Sequence, residues 1–514
     1  MAVSQAWLRY IMGIRLKNEI QVFQHLNLYV RLSAQTGIRL KKRNTVFQHL
    51  DLYVRLSAQT GVKMSFSKDF MWGSATASYQ LEGSTFEDGR GYTVWDDFCR
   101  RPGSILDGSN GDVACDHYHR YPEDVAIMGE IGLKAYRFSL AWSRILPEGT
   151  GAVNEKGIGF YHNLIDELLK HNIVPCITLY HWDMPYALYR KGGWQNPESV
   201  DWFAEYAAVV ARAYGDKVKF FITLNEPQCF IGLGHVSGEH APGNVMSRRS
   251  VLEMTHNVLK AHGRAVQAIR SIVPDAQIGY APTSGVACPG TDKPEDIEAA
   301  RKAYFDITDT SNYMWNVSWF SDPVFFGKYP EAGLKVFEKD LPDFKPEDFK
   351  LISEPIDFYG QNIYNGYKVE ADGKGGYRYL SRKSGHPRTA CGWPVVPECL
   401  YWGTRFLYER YNKPIYITEN GISCTDTVCL DGRIHDAERI DFLNRYLLAL
   451  GKAIDDGIDI RGYFVWSLMD NFEWAKGYTE RFGIVHVDYE SQKRTWKDSA
   501  YWLREVIKSN GTIL

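Results

Sequence analysis

From residue 64 onward, short apolar runs alternate with amphipathic stretches, no Ser-, Gly- or Pro-rich linker divides them, and polar or aromatic clusters follow almost every run. These three observations predict an α/β fold: a single (β/α)8 TIM barrel over residues 64–514, preceded by a basic repeat extension over residues 1–63. The runs are 70–77, 135–140, 174–179, 219–224, 277–281, 356–360, 415–418 and 462–466. Between them lie helical patterns. In 157–172, Ile158, Tyr161, Leu164, Ile165, Leu168 and Leu169 recur at three- and four-residue spacing, and 200–214, 251–272 and 436–455 behave alike. Strands separated by helices pair in parallel, and eight such units suggest a closed barrel with its site at the C-terminal strand ends.

The informative residues fall at those ends. Tyr79-Gln80-Leu81-Glu82-Gly83 follows the first run, and the second carries Tyr136-Arg137-Phe138-Ser139 and leads to Trp142-Ser143-Arg144. The third leads to Tyr180-His181-Trp182-Asp183, the fourth to Asn225-Glu226-Pro227, and the sixth to Gln361-Asn362-Ile363-Tyr364. The seventh ends in Glu419-Asn420-Gly421, and the eighth in Trp466-Ser467-Leu468-Met469-Asp470-Asn471-Phe472-Glu473-Trp474. Gly421 is read as the residue that lets the chain turn sharply. A carboxylate at the end of a buried strand is costly unless a cation pairs with it or chemistry uses it. Either Glu226 or Glu419 alone reads equally well as a surface or helix-capping acid; two in the same grammar suggest the paired carboxylates of glycoside hydrolysis.

Composition sets the bounds. The 514 residues are 45% hydrophobic and 24% charged, as in ordinary globular chains. Aromatic residues make up 14%, which suits both a large core and the binding of sugar-ring faces. Residues 1–63 hold ten Lys and Arg against Glu19 and Asp51, a net +8, so the chain's −3 leaves −11 on the rest. That acidic body argues against a nucleic-acid partner. No run reaches the ~18 apolar residues of a membrane helix. Nine scattered cysteines, with only Cys424 and Cys429 close together, read as reduced thiols in a cytoplasmic protein and not as a zinc site.

Residues 14–37 and 38–61 are a tandem repeat of period 24 with most positions identical. Two copies fall short of the roughly three that a solenoid needs. The segment is expected to be disordered or outside the native domain, as if translated ahead of a start at Met64. A basic targeting peptide and a surface-binding helix built on Val22, Phe23, Leu26 and Tyr29 are the competing readings.

Taken in order, YQLEG, YRFSLAWSRI, HWD, TLNEP, ITENG and WSLMDNFEW, with Tyr478 and Arg481-Phe482-Gly483 behind them, resemble family 1 of the glycoside hydrolases, the β-glucosidase family. NEP alone is weakly specific; the ordered set is very specific. The likeness runs from about Phe66 to near Leu503. It implies Glu226 as general acid/base and Glu419 as nucleophile of a retaining glycosidase, with the carboxyls roughly 5–5.5 Å apart. Arg137 would keep Glu419 charged, and Tyr364 would hydrogen-bond it. Gln80, His181, Asn225, Glu473 and Trp474 match the family's hydroxyl-binding set, Trp466 its sugar platform and Trp393 its +1 stacking residue; Trp182 joins this substrate-binding group.

The resemblance further implies an unphosphorylated sugar, because Glu473 would repel a phosphate, and O-glycosides, because an acid stands at position 226. No cofactor or metal is expected: His117 and His119 match a structural motif of the family. The implied partner is a β-glucoside or short cello-oligosaccharide, cleaved from its non-reducing end, with a homo-oligomer left open. Alternatives are a β-galactosidase- or β-fucosidase-type or transglycosylating member, a phospho-β-glucosidase, an endo-glucanase and a non-catalytic sugar-binding barrel. Gln228 and Cys399 depart from the usual pattern and are assigned to the aglycone side.

Overall fold

A computed structural model describes residues 66–311 and 315–514; the repeat and the readings attached to it lie outside the described residues. Eight parallel strands close into a barrel in sequence order. They are β1 (Met71–Ala75), β2 (Ala135–Ser139), β3 (Val174–Tyr180), β4 (Phe220–Asn225), β5 (Gln277–Ala281), β6 (Phe358–Asn362), β7 (Ile415–Asn420) and β8 (Ile460–Trp466). β1 closes the ring by pairing with β2 on one side and β8 on the other, with Ala75 level with both Arg137 and Trp466. All eight expected runs form strands, and the four helical patterns form Glu155–Lys170, Ser199–Tyr214, Arg248–Ile272 and Ala437–Asp455.

Three strands run on into polar residues. β4 takes in Asn225, β6 takes in Gln361 and Asn362, and β7 takes in Glu419 and Asn420. All three extensions are buried, so backbone pairing continues while the side chains have already become polar. The register of β7 slips against both neighbours between Ile417 and its end. Such bulges re-aim side chains next to active sites.

Outside the ring, Val286–Pro289, Gly366–Ala371 and Tyr377–Tyr379 form a small sheet. Cys399 opens the helix Cys399–Tyr411, fully buried, and a side chain at Gly366 would meet it and Cys288. This corrects its assignment to the aglycone side: it fills the layer between that sheet and the outer helices. Gln228 is buried as well, donating to Thr283 O at 3.0 Å and accepting from Thr283 N at 3.3 Å, so it ties the end of β4 to the end of β5.

Gly421 also differs from expectation. It needs no left-handed backbone; instead a Cβ there would lie 1.7 Å from the Trp466 carbonyl oxygen. Glycine lets the ends of β7 and β8 come together. Gly421→Ala is therefore expected to cost about 1–3 kcal/mol or more, as overpacking does, and to lower the thermal unfolding midpoint; an unchanged midpoint would show that the strand ends can part freely.

Candidate active site

Arg137 points from β2 into the barrel and is 1% exposed. Its Nε donates to Thr178 Oγ1 at 3.0 Å, and its Nη2 to Asn225 Oδ1 at 2.6 Å. Its Nη1 donates to Thr418 O at 3.1 Å and to Glu419 Oε1 at 2.6 Å. A buried cation is tolerated only when paired and hydrogen-bonded in this way. The other carboxylate oxygen, Glu419 Oε2, accepts from the Tyr364 hydroxyl at 2.7 Å. Burial pushes the Glu419 carboxyl above its usual range, and Arg137 and Tyr364 hold it back. Burial raises the Tyr364 phenol well above its ordinary value, so it keeps the proton that it donates.

Glu226 sits where β4 hands over to the short helix Pro227–Gly232, with Pro at the first helical position, which favours it. Its φ of +44° is unusual for a residue with a side chain. Such backbone costs on the order of 1 kcal/mol and persists where surroundings hold it; here the Glu226 amide donates to Ala281 O at 2.8 Å. Its Oε1 accepts from Asn362 Nδ2 at 2.7 Å and its Oε2 from the Cys229 thiol at 3.0 Å. Burial, and then the charge of Glu419, push Glu226 up to about 7, against the pull of those two bonds. The two acids thus share one network but not one environment: Glu419 faces a guanidinium, and Glu226 faces neutral donors and another acid.

Asn362 joins the halves. It lies level with Glu419 in the β6–β7 register, accepts from Thr418 Oγ1 at 2.6 Å, and donates to both Asn225 and Glu226. Neither Asn362 nor Cys229 was among the expected site residues. A polar residue ending β6 was a visible signal for Asn362, whereas Cys229 depends on where the helix after Pro227 starts.

Beside the acids lies a polar wall. Asn225 Nδ2 donates to His181 Nε2 at 2.9 Å, which assigns the imidazole proton to Nδ1. Burial, then the Arg137 charge, hold His181 far below its ordinary pKa, so it is neutral. Gln80 Nε2 donates to Phe472 O at 2.7 Å and to Glu473 Oε2 at 3.3 Å. Gln80 Oε1 and His181 Nδ1, both buried, have no hydrogen-bond partner among the described residues. One acceptor and one donor left over in such a wall suit hydroxyl groups, which can serve both. Burial, then Glu480 and Glu419, push Glu473 up to about 8.

Aromatic rings complete the cup. Trp474 lies 4.5 Å from Trp182 and 4.7 Å from Trp95, centroid to centroid, and Trp466 lies 5.7 Å from His181. Trp182 supports this wall from behind, because its indole N–H is committed to Asn225 O at 3.0 Å. Trp393 stands at the rim, 37% exposed and 5.3 Å from the Tyr364 ring. The loop bearing Glu473 and Trp474 is anchored by Asp470, which accepts from Arg481 and from the buried Lys497, each at 2.6 Å. Every expected site residue therefore lies at the C-terminal end of the barrel. His117 is committed to a structural pair: it bonds to Asp124 at 2.7 Å, which also holds Arg494. Among the described residues no three His, Cys, Asp or Glu side chains are grouped to hold a metal.

Two buried glutamates in unlike environments, beside a hydroxyl-matching wall at the mouth of a (β/α)8 barrel, define a glycoside hydrolase. The model of the family described as "Glycosyl hydrolase family 1" matches residues 62–512. Beta-glucosidase A of Thermotoga maritima is 48% identical over 447 residues, covering 87% of this chain and 98% of that protein. A 1,4-beta-D-glucan glucohydrolase of Thermotoga neapolitana is 47% identical, covering 87% and 99%. Among solved structures, the Thermotoga maritima β-glucosidase in complex with glucoimidazole has a TM-score of 0.80 and 48% identity, covering 88% of this chain and 100% of that one. The same enzyme in complex with galacto-hydroximolactam has a TM-score of 0.80 and 47% identity, with the same coverage. The chain belongs to glycosyl hydrolase family 1.

Replacing Arg137 with Met removes the charge that opposes burial at Glu419. The Glu419 carboxyl is then expected to titrate higher, by about 1–3 units, in an infrared titration of the carboxylate band; an unmoved titration would mean that Arg137 does not control it.

Proposed function

We propose that this protein is a retaining β-glucosidase that removes terminal β-D-glucosyl residues from β-glucosides and short cello-oligosaccharides by double displacement. The observation that carries this reading is the unequal treatment of the two acids. Glu419, gripped by Arg137 and Tyr364, ionises first and serves as nucleophile on the anomeric carbon. Glu226, held near neutrality, carries the proton that the leaving oxygen needs. The C–O bond to the aglycone breaks as the ester to Glu419 forms. Glu226, now a carboxylate, takes a proton from water, whose oxygen attacks the anomeric carbon and expels Glu419.

The relatives' names supply the glucosyl reading, and the hydroxyl-matching pair Gln80 and His181 supports it from this chain. Gln80, His181, Asn225, Glu473 and Trp474 are assigned to the sugar's hydroxyls, Trp466 to its face, and Trp393 to the aglycone. Side activity on β-galactosides or β-fucosides is the second reading, favoured by the galacto-configured ligand in the Thermotoga maritima relative. All nine cysteines are free thiols, which suits a reducing, cytoplasmic setting. No helix among the described residues is long and apolar enough to cross a membrane.

With an aryl β-glucoside, kcat/KM should fall as pH rises through about 7, where Glu226 loses its proton, and fall again at acid pH as Glu419 gains one. Glu419→Ala should cut turnover by about 10³-fold or more; near-wild-type rates would remove it from the mechanism. Glu226→Ala should cost about 10²–10⁴-fold on poor leaving groups and much less on activated ones, with azide restoring the latter. Equal loss on every substrate would contradict the acid role. Deleting residues 1–63 should leave kcat/KM unchanged; an unfolded product would make the repeat structural.

A further inference from the structure

Glu226 is gripped by two donors of unequal strength. Asn362 Nδ2 reaches Oε1 at 2.7 Å with a full amide N–H, while the Cys229 thiol reaches Oε2 at 3.0 Å. Cys229 lies three residues on, one turn into the helix that Glu226 caps, and is 6% exposed, as is Glu226. Burial, then the neighbouring Glu226 charge, raise the thiol well above its ordinary pKa, so it stays protonated and can only donate to a carboxylate. In a neutral carboxylic acid the carbonyl oxygen is the better acceptor. The strong amide donor therefore assigns the carbonyl to Oε1 and leaves the hydroxyl on Oε2, the oxygen beside the sulfur.

We propose that Cys229 is a positioning residue for the acid: with Asn362 on Oε1 leaving the transferable proton on Glu226 Oε2, the weak S–H donor lets that oxygen both release and regain it. The proposal rests on Glu226 being the acid/base. The thiol proton is not itself transferred. Glu226 gives its own proton to the leaving oxygen as the glycosidic bond breaks and takes one back from the attacking water.

A strong donor at Oε2 would favour the carboxylate and leave less of Glu226 protonated for the first step. No donor would favour the neutral acid and leave less of it ionised for the second. A thiol, a weak donor, lies between these limits. The other charged and titratable groups around Glu226 are Glu419 from β7, Arg137 from β2, Tyr364 after β6 and Glu473 after β8. His181, after β3, reaches it through Asn225 and is neutral. Substitution at position 229 leaves all of these in place, so Cys229→Ser and Cys229→Ala change the donor on Oε2 alone.

The test is the basic limb of kcat/KM against pH for wild type, Cys229→Ser and Cys229→Ala, with an alkyl β-glucoside that needs acid assistance. The expected order of the limb is Ala above wild type above Ser, each step being about 0.5–1 pH unit, the worth of one hydrogen bond. A merely structural thiol would give lower stability or rate in both variants with no opposed shift. Coincident limbs would overturn the proposal, as would shifts in the same direction.

Should a variant not fold, the Cys229 S–H stretching band, read in a variant whose eight other thiols are replaced, supplies the same answer. It should move to higher wavenumber as Glu226 is protonated, and a band insensitive to pH from 5 to 9 (roughly two units either side of the limb) would overturn it. Glu226→Gln separates this proposal from the reading on which it rests. If that variant keeps the wild-type basic limb, Glu226 is not the acid; if it loses the limb while the Cys229 variants coincide, only the role of the thiol fails.

Discussion

The guanidinium of Arg137 lies inside the barrel and bonds to groups on β3, β4 and β7. Moving a cation into such a place costs several kcal/mol unless every donor finds an acceptor. The acceptors it finds are Thr178, Asn225, the Thr418 carbonyl and Glu419. The same bonds fix Asn225, which then orients His181 and accepts from Asn362. Asn362 in turn grips Glu226. One buried charge thus sets the nucleophile, one side of the sugar wall and, through two amides, the acid.

The division of labour between the carboxyls follows from this asymmetry. Burial raises both and the Arg137 charge opposes it at both, but only Glu419 is hydrogen-bonded to that cation. Glu226 feels the Glu419 charge on top of its own desolvation, so the pair titrates in two steps that belong to the network. Glu473 lies further round the same cup and is raised too, by burial and by Glu480.

The barrel was legible because its strands are apolar and its helices periodic, and the alternation leaves few topologies open. The strand-end residues were legible as a group, since polar and aromatic clusters recur wherever an apolar run stops. What stayed hidden depends on register and close approach. Asn362 becomes a partner of Glu226 only because β6 and β7 pair with it level with Glu419. Cys229 matters only because the helix begins at Pro227 and turns the thiol back. Gly421 looked like a turn residue, yet its reason is the Trp466 carbonyl on the neighbouring strand. Cys399, placed near the aglycone by its motif, belongs to the packing outside the barrel, where neighbours distant in the chain decide its surroundings.

The stereochemistry of the first product probes the central claim most directly. Proton NMR during early hydrolysis of an aryl β-glucoside should show β-glucose appearing before mutarotation, since two inversions at the anomeric carbon restore its configuration. Initial release of α-glucose would mean that water attacks directly in a single inversion, and the nucleophile assigned to Glu419 would have to be abandoned.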